Sequence, residues 1–290
     1  MTLPSFLIIG GMKCGSTTLY RDLLTHPRVF FPMDKEPCNL CDDHVLTDAG
    51  RQEYEALFKR ASPEQLCAEA STDYTKLPDR QGVAERAFTV LGPELRVIYL
   101  VRDPIKRLIS HHHHEYSRGE MPADIGEAVE RYPSLVNYSR YAMQLEPWFK
   151  TFGSDNVRVV RFEDYIADRP AVVASVESFL GLDPRPELVE VDRVHNKSDG
   201  KPVARGAMGR LIRSAPYRRL VRPLIPLGLR GWVQRRILPK APPRPDPPPT
   251  DLVRQILEQL SSDRARLEAI TPGPSPGFRA DAANASTAGP

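Results

Sequence analysis

The stretch Phe6-Leu7-Ile8-Ile9-Gly10-Gly11-Met12-Lys13-Cys14-Gly15-Ser16-Thr17-Thr18-Leu19 decides how this chain reads. An apolar run passes into a glycine-rich turn and then into hydroxyl residues that open an apolar-periodic segment. This is the pattern of strand, phosphate loop and helix. Backbone N–H groups, a helix N-terminus and the Lys13 ammonium are thereby aimed at one anionic group. Gly10 and Gly15 are spaced as in a nucleotide-triphosphate loop, yet Ser16 stands where that loop carries its lysine, and Lys13 lies inside the turn. A lysine placed this early suits a shorter anhydride with its charge in a different place.

Working outward, Ser16 to Thr25 reads as a helix stopped by His26-Pro27, and Val29-Phe30-Phe31 as a second strand leading to Asp34-Lys35-Glu36-Pro37. The pattern continues with a helix over Gln52 to Lys59, a strand at Leu66 to Ala70, a helix over Arg80 to Leu91 and a buried strand at Arg96 to Val101. Tyr138 to Phe152 has helical periodicity, Val157 to Phe162 reads as a strand and Ala171 to Leu180 as a helix. Strands separated by helical patterns predict an α/β fold, a doubly wound parallel sheet of the P-loop-like kind, with ligands at the carboxyl ends of its strands.

One such end carries Arg102-Asp103-Pro104 and a helix through Arg107 and Ser110. Arg102 can bind a phosphate bidentately, and Ser110 lies about two helical turns on, so the pair is placed to grip a second phosphate. The competing reading is a structural ion pair between Arg102 and Asp103.

Length and charge frame these motifs. A chain of 290 residues, 41% hydrophobic, buries the core of one enzyme-sized unit. Eleven Lys or Arg and no acidic residue fall between Lys201 and Lys240, leaving 29 basic against 37 acidic groups elsewhere. We expect an α/β core over residues 1–204, a basic apolar segment over 205–240, a proline-rich connector over 241–249, a helix over 250–270 and a disordered tail over 271–290. The segment 205–240 mixes arginines with Leu, Ile and Trp232, which suits either contact with anionic lipid or a cap over an amphiphilic acceptor. The apolar run at Phe6 is too short to span a bilayer and four cysteines do not suggest a disulfide framework, so the expected location is cytoplasmic, peripheral at the inner membrane surface if the basic segment binds lipid. Nothing points to nucleic acid as a partner.

Together the two motifs resemble those of sulfotransferases that use 3′-phosphoadenosine 5′-phosphosulfate (PAPS). Gly11 to Leu19 resembles the family's 5′-phosphosulfate loop and Leu100 to Ser110 its 3′-phosphate motif; the likeness continues more weakly to the Asn196-Lys197-Ser198 loop. The layout is closest to heparan-sulfate-type and bacterial members. The resemblance implies donor contacts from Gly11, Lys13, Cys14, Gly15, Ser16, Thr17, Thr18, Arg102, Ser110, Lys197, Gly200 and Lys201. It makes Glu36, in Lys35-Glu36-Pro37, the general base and Lys13 the group that stabilises the leaving oxygen. The implied acceptor is a small-molecule, carbohydrate or glycolipid hydroxyl, and the scheme requires no metal. The aromatic pair usual after this segment is Asn39-Leu40 here, and Asp199 replaces an expected basic residue.

Rival readings are a nucleotide-dependent kinase with Asp103 near magnesium, disfavoured by Ser16, and a non-enzymatic lipid-surface or nucleotide-binding adaptor. His111-His112-His113-His114 reads as a helix passing the nucleotide site, one residue near substrate and the rest facing solvent, in preference to a metal cluster. Cys38-x-x-Cys41 is a pair without the second pair of a zinc site. Glu69 is equally a residue of the acceptor site or a carboxylate at the edge of the core.

Overall fold

The two central apolar runs become strands because each is covered on both faces, and three other runs pair beside them. In the computed structural model, which describes residues 3–32, 35–191 and 242–271, these are β1 (Phe6–Gly10), β2 (Val29–Phe30), β3 (Leu66–Ala70), β4 (Arg96–Val101) and β5 (Val157–Arg161). They form one parallel sheet in the order β2-β3-β1-β4-β5. Phe6, Leu7, Ile8 and Ile9 of β1 are fully buried, as are Val97 to Val101 of β4, the signature of strands sandwiched between helices. β1 pairs with β3 at Ile8↔Ala70 and with β4 at Ile8↔Ile98. The chain leaves β1 toward one side of the sheet and later returns to its other side, so the topological switch point lies at the carboxyl end of β1.

The helices are α1 (Ser16–Leu24), α2 (Asp48–Ala56), α3 (Val83–Leu91), α4 (Pro104–Arg118), α5 (Ile125–Arg131), α6 (Ser134–Asn137), α7 (Tyr141–Phe152), α8 (Phe162–Ala167), α9 (Arg169–Phe179) and α10 (Thr250–Ile270). Several ends differ from the sequence reading for local reasons. Helix α2 begins at Asp48, not near Gln52, because the Thr47 hydroxyl caps Gly50 N–H at 3.1 Å. Helix α3 starts after Gly82, which takes the left-handed conformation at φ +70°. The stretch from Tyr138 to Phe152 is broken before Tyr141, and Phe162 opens α8 rather than closing β5.

Helix α10 is part of the core. Ile256 and Leu260 pack with Leu108 and Leu135, while Leu267 joins the cluster that contains the sheet. The buried Asp263 carboxylate accepts the N–H groups of Ala142 and Met143 at 3.0 and 2.9 Å, capping α7 at its positive end. The C-terminal helix thus supplies what α7's own N-cap residue, Arg140, does not. Residues 242–249 carry no regular secondary structure, in keeping with their prolines. No helix among the described residues is long and apolar enough to cross a membrane. Lys197, Gly200, Lys201, the basic segment 205–240 and residues 272–290 of the tail lie outside the described residues.

Candidate active site

The turn after β1 is held tightly. Gly11 N–H donates to the Leu100 carbonyl of β4 at 2.7 Å, and Cys14 N–H closes back onto the Gly11 carbonyl at 3.1 Å. Gly15 caps α1 at φ +95°, where a Cβ would stand 2.7 Å from the Phe162 ring, so both its conformation and its neighbour call for glycine. Lys13 is itself left-handed at φ +68°, a conformation a lysine holds only when its surroundings impose it. Ser16 and Thr18 are buried in the first turn of α1 and Thr17 is half-buried between them; Thr18 N–H donates to the Gly15 carbonyl at 2.9 Å. Burial pushes the Cys14 thiol up to about 11, so this side chain stays neutral and adds no negative charge to the loop.

Arg102, at the end of β4, reaches across to that turn. Its Nη1 donates to the Lys13 carbonyl at 3.1 Å, and its guanidinium carbon lies 4.5 Å from the centre of the Phe162 ring. The Tyr141 hydroxyl donates to the Arg102 carbonyl at 2.8 Å and accepts its N–H at 3.3 Å, fixing the backbone here. The ion-pair reading with Asp103 fails: the Asp103 carboxylate accepts Lys106 N–H at 2.8 Å as the N-cap of α4. Arg102 Nε is buried with no hydrogen-bond partner among the described residues. Such a donor fits a group that brings its own anionic oxygens. Ser110 is half-buried farther along α4, about 10 Å from Asp103 by helical rise.

Glu36 lies on the other side of the switch point. Its N–H donates to the Ala70 carbonyl at 3.0 Å, which ties it to the end of β3, and its backbone is left-handed at φ +64°. The Thr72 hydroxyl donates to Glu36 Oε1 at 3.1 Å and Lys35 Nζ sits 2.7 Å from the same oxygen. The carboxylate remains 42% exposed, open to a ligand. Beneath it Glu69 is fully buried: Ser71 and Tyr74 donate to its Oε1 at 2.5 Å, and Tyr54 donates to its Oε2. Burial raises the Glu69 carboxyl above its ordinary range against the pull of these hydroxyls. Glu69 is therefore a core group that supports the loop, not part of the acceptor surface: Tyr74 also accepts Leu40 N–H at 3.2 Å and Ser71 accepts Cys38 N–H at 3.4 Å.

A cleft of about 560 Å³ opens beside the turn, lined among others by Met12, Lys76, His111, Glu115, Arg118 and Tyr138. The histidine run lies against it differently from expectation. His111, His112 and His113 are all buried; His111 stacks on Tyr138 at 5.6 Å, and His112 Nε2 donates to the Pro122 carbonyl at 2.8 Å. Burial, with the Lys13, Arg118 and Lys76 charges, holds His114 down to about 3.

Residues 3–198 match the family described as the sulfotransferase domain. The chain belongs to the sulfotransferase family. It is 26% identical to mouse (Mus musculus) carbohydrate sulfotransferase 15, over 65% of this chain and 45% of that one. It is 27% identical to mouse heparan sulfate glucosamine 3-O-sulfotransferase 6, over 71% of this chain and 60% of that one. The chain thus spans about half the length of the curated relatives it matches. Among solved structures, a sulfotransferase from Alicyclobacillus acidocaldarius superposes with a TM-score of 0.63 at 21% identity, covering 93% of this chain and 96% of that one. The sulfotransferase domain from the curacin biosynthetic pathway superposes with 0.52 at 18% identity, covering 90% and 99%. Both share the P-loop-like fold of this chain.

Several residues that hold the candidate site carry no role in the sequence reading. Tyr141, Phe162 and Thr72 belong to periodic or turn patterns, yet they hold Arg102, Gly15 and Glu36. Arg118, Glu120, Met121, Tyr132 and Ser134 line the cleft on either side of helix α5. Asn39 is in a 3-10 turn (Asn39–Cys41) and is not among the residues lining the cleft.

Proposed function

We propose that this chain transfers a sulfonyl group from PAPS to a hydroxyl of a carbohydrate, glycolipid or other natural product. The observation that carries this reading is the meeting of two anion-directed elements at the switch point, Arg102 just after β4 on the Lys13 carbonyl of the turn after β1. The printed names of the relatives, carbohydrate and heparan sulfate sulfotransferases, support a sugar acceptor.

When bound, PAPS supplies a sulfonyl group on a phosphate leaving group. The turn's N–H groups and the α1 N-terminus receive its 5′ side, with Gly11, Gly15, Ser16, Thr17 and Thr18 close to it. The Lys13 ammonium stabilises charge on the leaving oxygen. Arg102 directs its buried Nε to the 3′-phosphate, with Ser110 on the following helix, α4. Glu36 takes the acceptor hydroxyl proton, held in place by Thr72 and faced by Lys35, a role worth about 10²–10⁴-fold in rate. Lys76, Tyr138 and Arg118 offer polar and aromatic contacts to the acceptor in the cleft. Lys197, Gly200 and Lys201 complete the donor contacts in this proposal, and residues 205–240 meet anionic lipid at the cytoplasmic membrane surface or cover the acceptor.

Calorimetry with 3′-phosphoadenosine 5′-phosphate (PAP), the desulfonated donor, tests the reading. Binding without magnesium, together with transfer of radiolabelled sulfonyl from donor to an added carbohydrate or glycolipid, is the expected result. Magnesium-dependent ATP binding would instead identify a kinase, and binding of neither nucleotide an adaptor.

A further inference from the structure

Cys38 and Cys41 gain a third partner from the fold. Cys38 is left-handed at φ +58° and caps the 3-10 turn Asn39–Cys41, where Cys41 N–H donates to the Cys38 carbonyl at 3.1 Å. This fold-back sets the two thiols side by side. Asp73, in the 3-10 turn Thr72–Thr75 after β3, comes against them. The Cys38 and Cys41 sulfurs and an Asp73 carboxylate oxygen all lie within 4.8 Å of one another.

We propose that Cys38, Cys41 and Asp73 form a zinc-binding site beside the Glu36 loop. Tetrahedral zinc, with sulfur at about 2.3 Å and oxygen at about 2.0–2.2 Å, places its ligand atoms roughly 3.6–3.8 Å apart. The observed cluster reaches that geometry by closing by at most about 1.2 Å, within the range of a side-chain rotation. Two thiolates select a soft ion such as zinc over magnesium or calcium. Lys76 Nζ lies 2.5 Å from Asp73 Oδ1, a charged partner that orients the carboxylate. Cys38 and Cys41 are half-buried, whereas Cys14 and Cys67 are buried. Binding breaks two S–H bonds and forms two Zn–S bonds, the protons leaving to solvent. The fourth position stays open for water.

The site is separate from the groups assigned to sulfonyl transfer, but it borders them. Zinc would staple the segment carrying Cys38, two residues after Glu36, to the turn whose Thr72 donates to Glu36. Its test needs no turnover and does not depend on the proposed activity.

Cobalt(II), a spectroscopic stand-in for zinc, is titrated into the reduced 290-residue chain. The expected result is a sulfur-to-cobalt charge-transfer band saturating at one equivalent and bleached by added zinc. Cys38→Ser and Cys41→Ser should each abolish the band, and Asp73→Asn should weaken cobalt binding at least tenfold. In the unsubstituted chain, zinc should protect both thiols from iodoacetamide, read by peptide mass spectrometry, so the answer does not hinge on a variant folding. Absence of the band, its persistence when both cysteines are replaced, indifference to Asp73→Asn, or equal alkylation with and without zinc would overturn the proposal. Resistance to alkylation that vanishes on reduction would show a disulfide in place of a metal site and overturn it as well.

Discussion

The Arg102 guanidinium donates from Nη1 to the carbonyl oxygen of Lys13 at 3.1 Å, so the end of β4 carries the turn that follows β1. One side chain therefore has two tasks. It holds the turn in which Lys13 adopts its left-handed backbone, and in the proposed function its buried Nε, which has no partner among the described residues, takes a ligand oxygen.

Arg102→Lys keeps the charge but loses the fork. A charge-assisted hydrogen bond contributes about 1.5–3 kcal/mol, so PAP binding should weaken by roughly 10- to 100-fold. The same nucleotide lacking its 3′-phosphate should lose much less. Isothermal titration of both ligands checks this, and equal losses would assign Arg102 to another part of the nucleotide.

Glu36→Gln should retain PAP binding within a few-fold while turnover drops by about 10²–10⁴. Thr72→Val removes the hydroxyl that orients the carboxylate and should lower turnover by a smaller factor, about tenfold or more, with donor affinity unchanged. Steady-state rates beside PAP titrations separate the two effects; full turnover in Glu36→Gln would remove Glu36 as the base.

The packing of α10 predicts that the C-terminal helix is needed for stability. Leu260 is 4% exposed against Leu108 and Leu135, and Leu260→Ala should cost about 2–5 kcal/mol in denaturant unfolding. Asp263→Ala, which uncaps α7, should cost about 0.5–2 kcal/mol. Leu260 lies away from the turn, so PAP affinity of folded Leu260→Ala should change little, whereas Asp263→Ala frees the first turn of α7 beside Tyr141 and is read for stability alone.

Acid should destabilise the fold partly through His111. Burial first, then the Arg107 and Lys76 charges, hold this imidazole well below its ordinary 6.5, although Glu115 lies 4.0 Å away. Below about pH 6.5 the unfolded chain takes up a proton that the folded chain refuses. Stability therefore falls with decreasing pH, by up to about 1.4 kcal/mol per unit for this group. His111→Gln removes the titration but keeps an acceptor toward Arg107, which contacts His111 Nδ1 at 3.4 Å. Urea unfolding at pH 7 and pH 5 should show a smaller loss in the variant.

Much of this was present in the chain as local pattern. A contiguous apolar run, two glycines and a hydroxyl-led periodic segment specify strand, turn and helix because each depends on residues a few positions apart. The same holds for β4 and Arg102 at its end, and their alternation with helices sufficed for the parallel sheet. The family motifs added the candidate roles of Lys13 and Glu36. Tertiary structure alone decided which distant groups meet. Tyr141 and Phe162, 39 and 60 residues beyond Arg102, hold its backbone and guanidinium; Asp263 caps a helix from the far end of the chain; Asp73 meets the Cys38 and Cys41 thiols; and three histidines of one run are covered rather than exposed. Periodicity reports which face of an element is apolar, whereas the partner on that face, and the polar groups buried with it, are set by how the layers close.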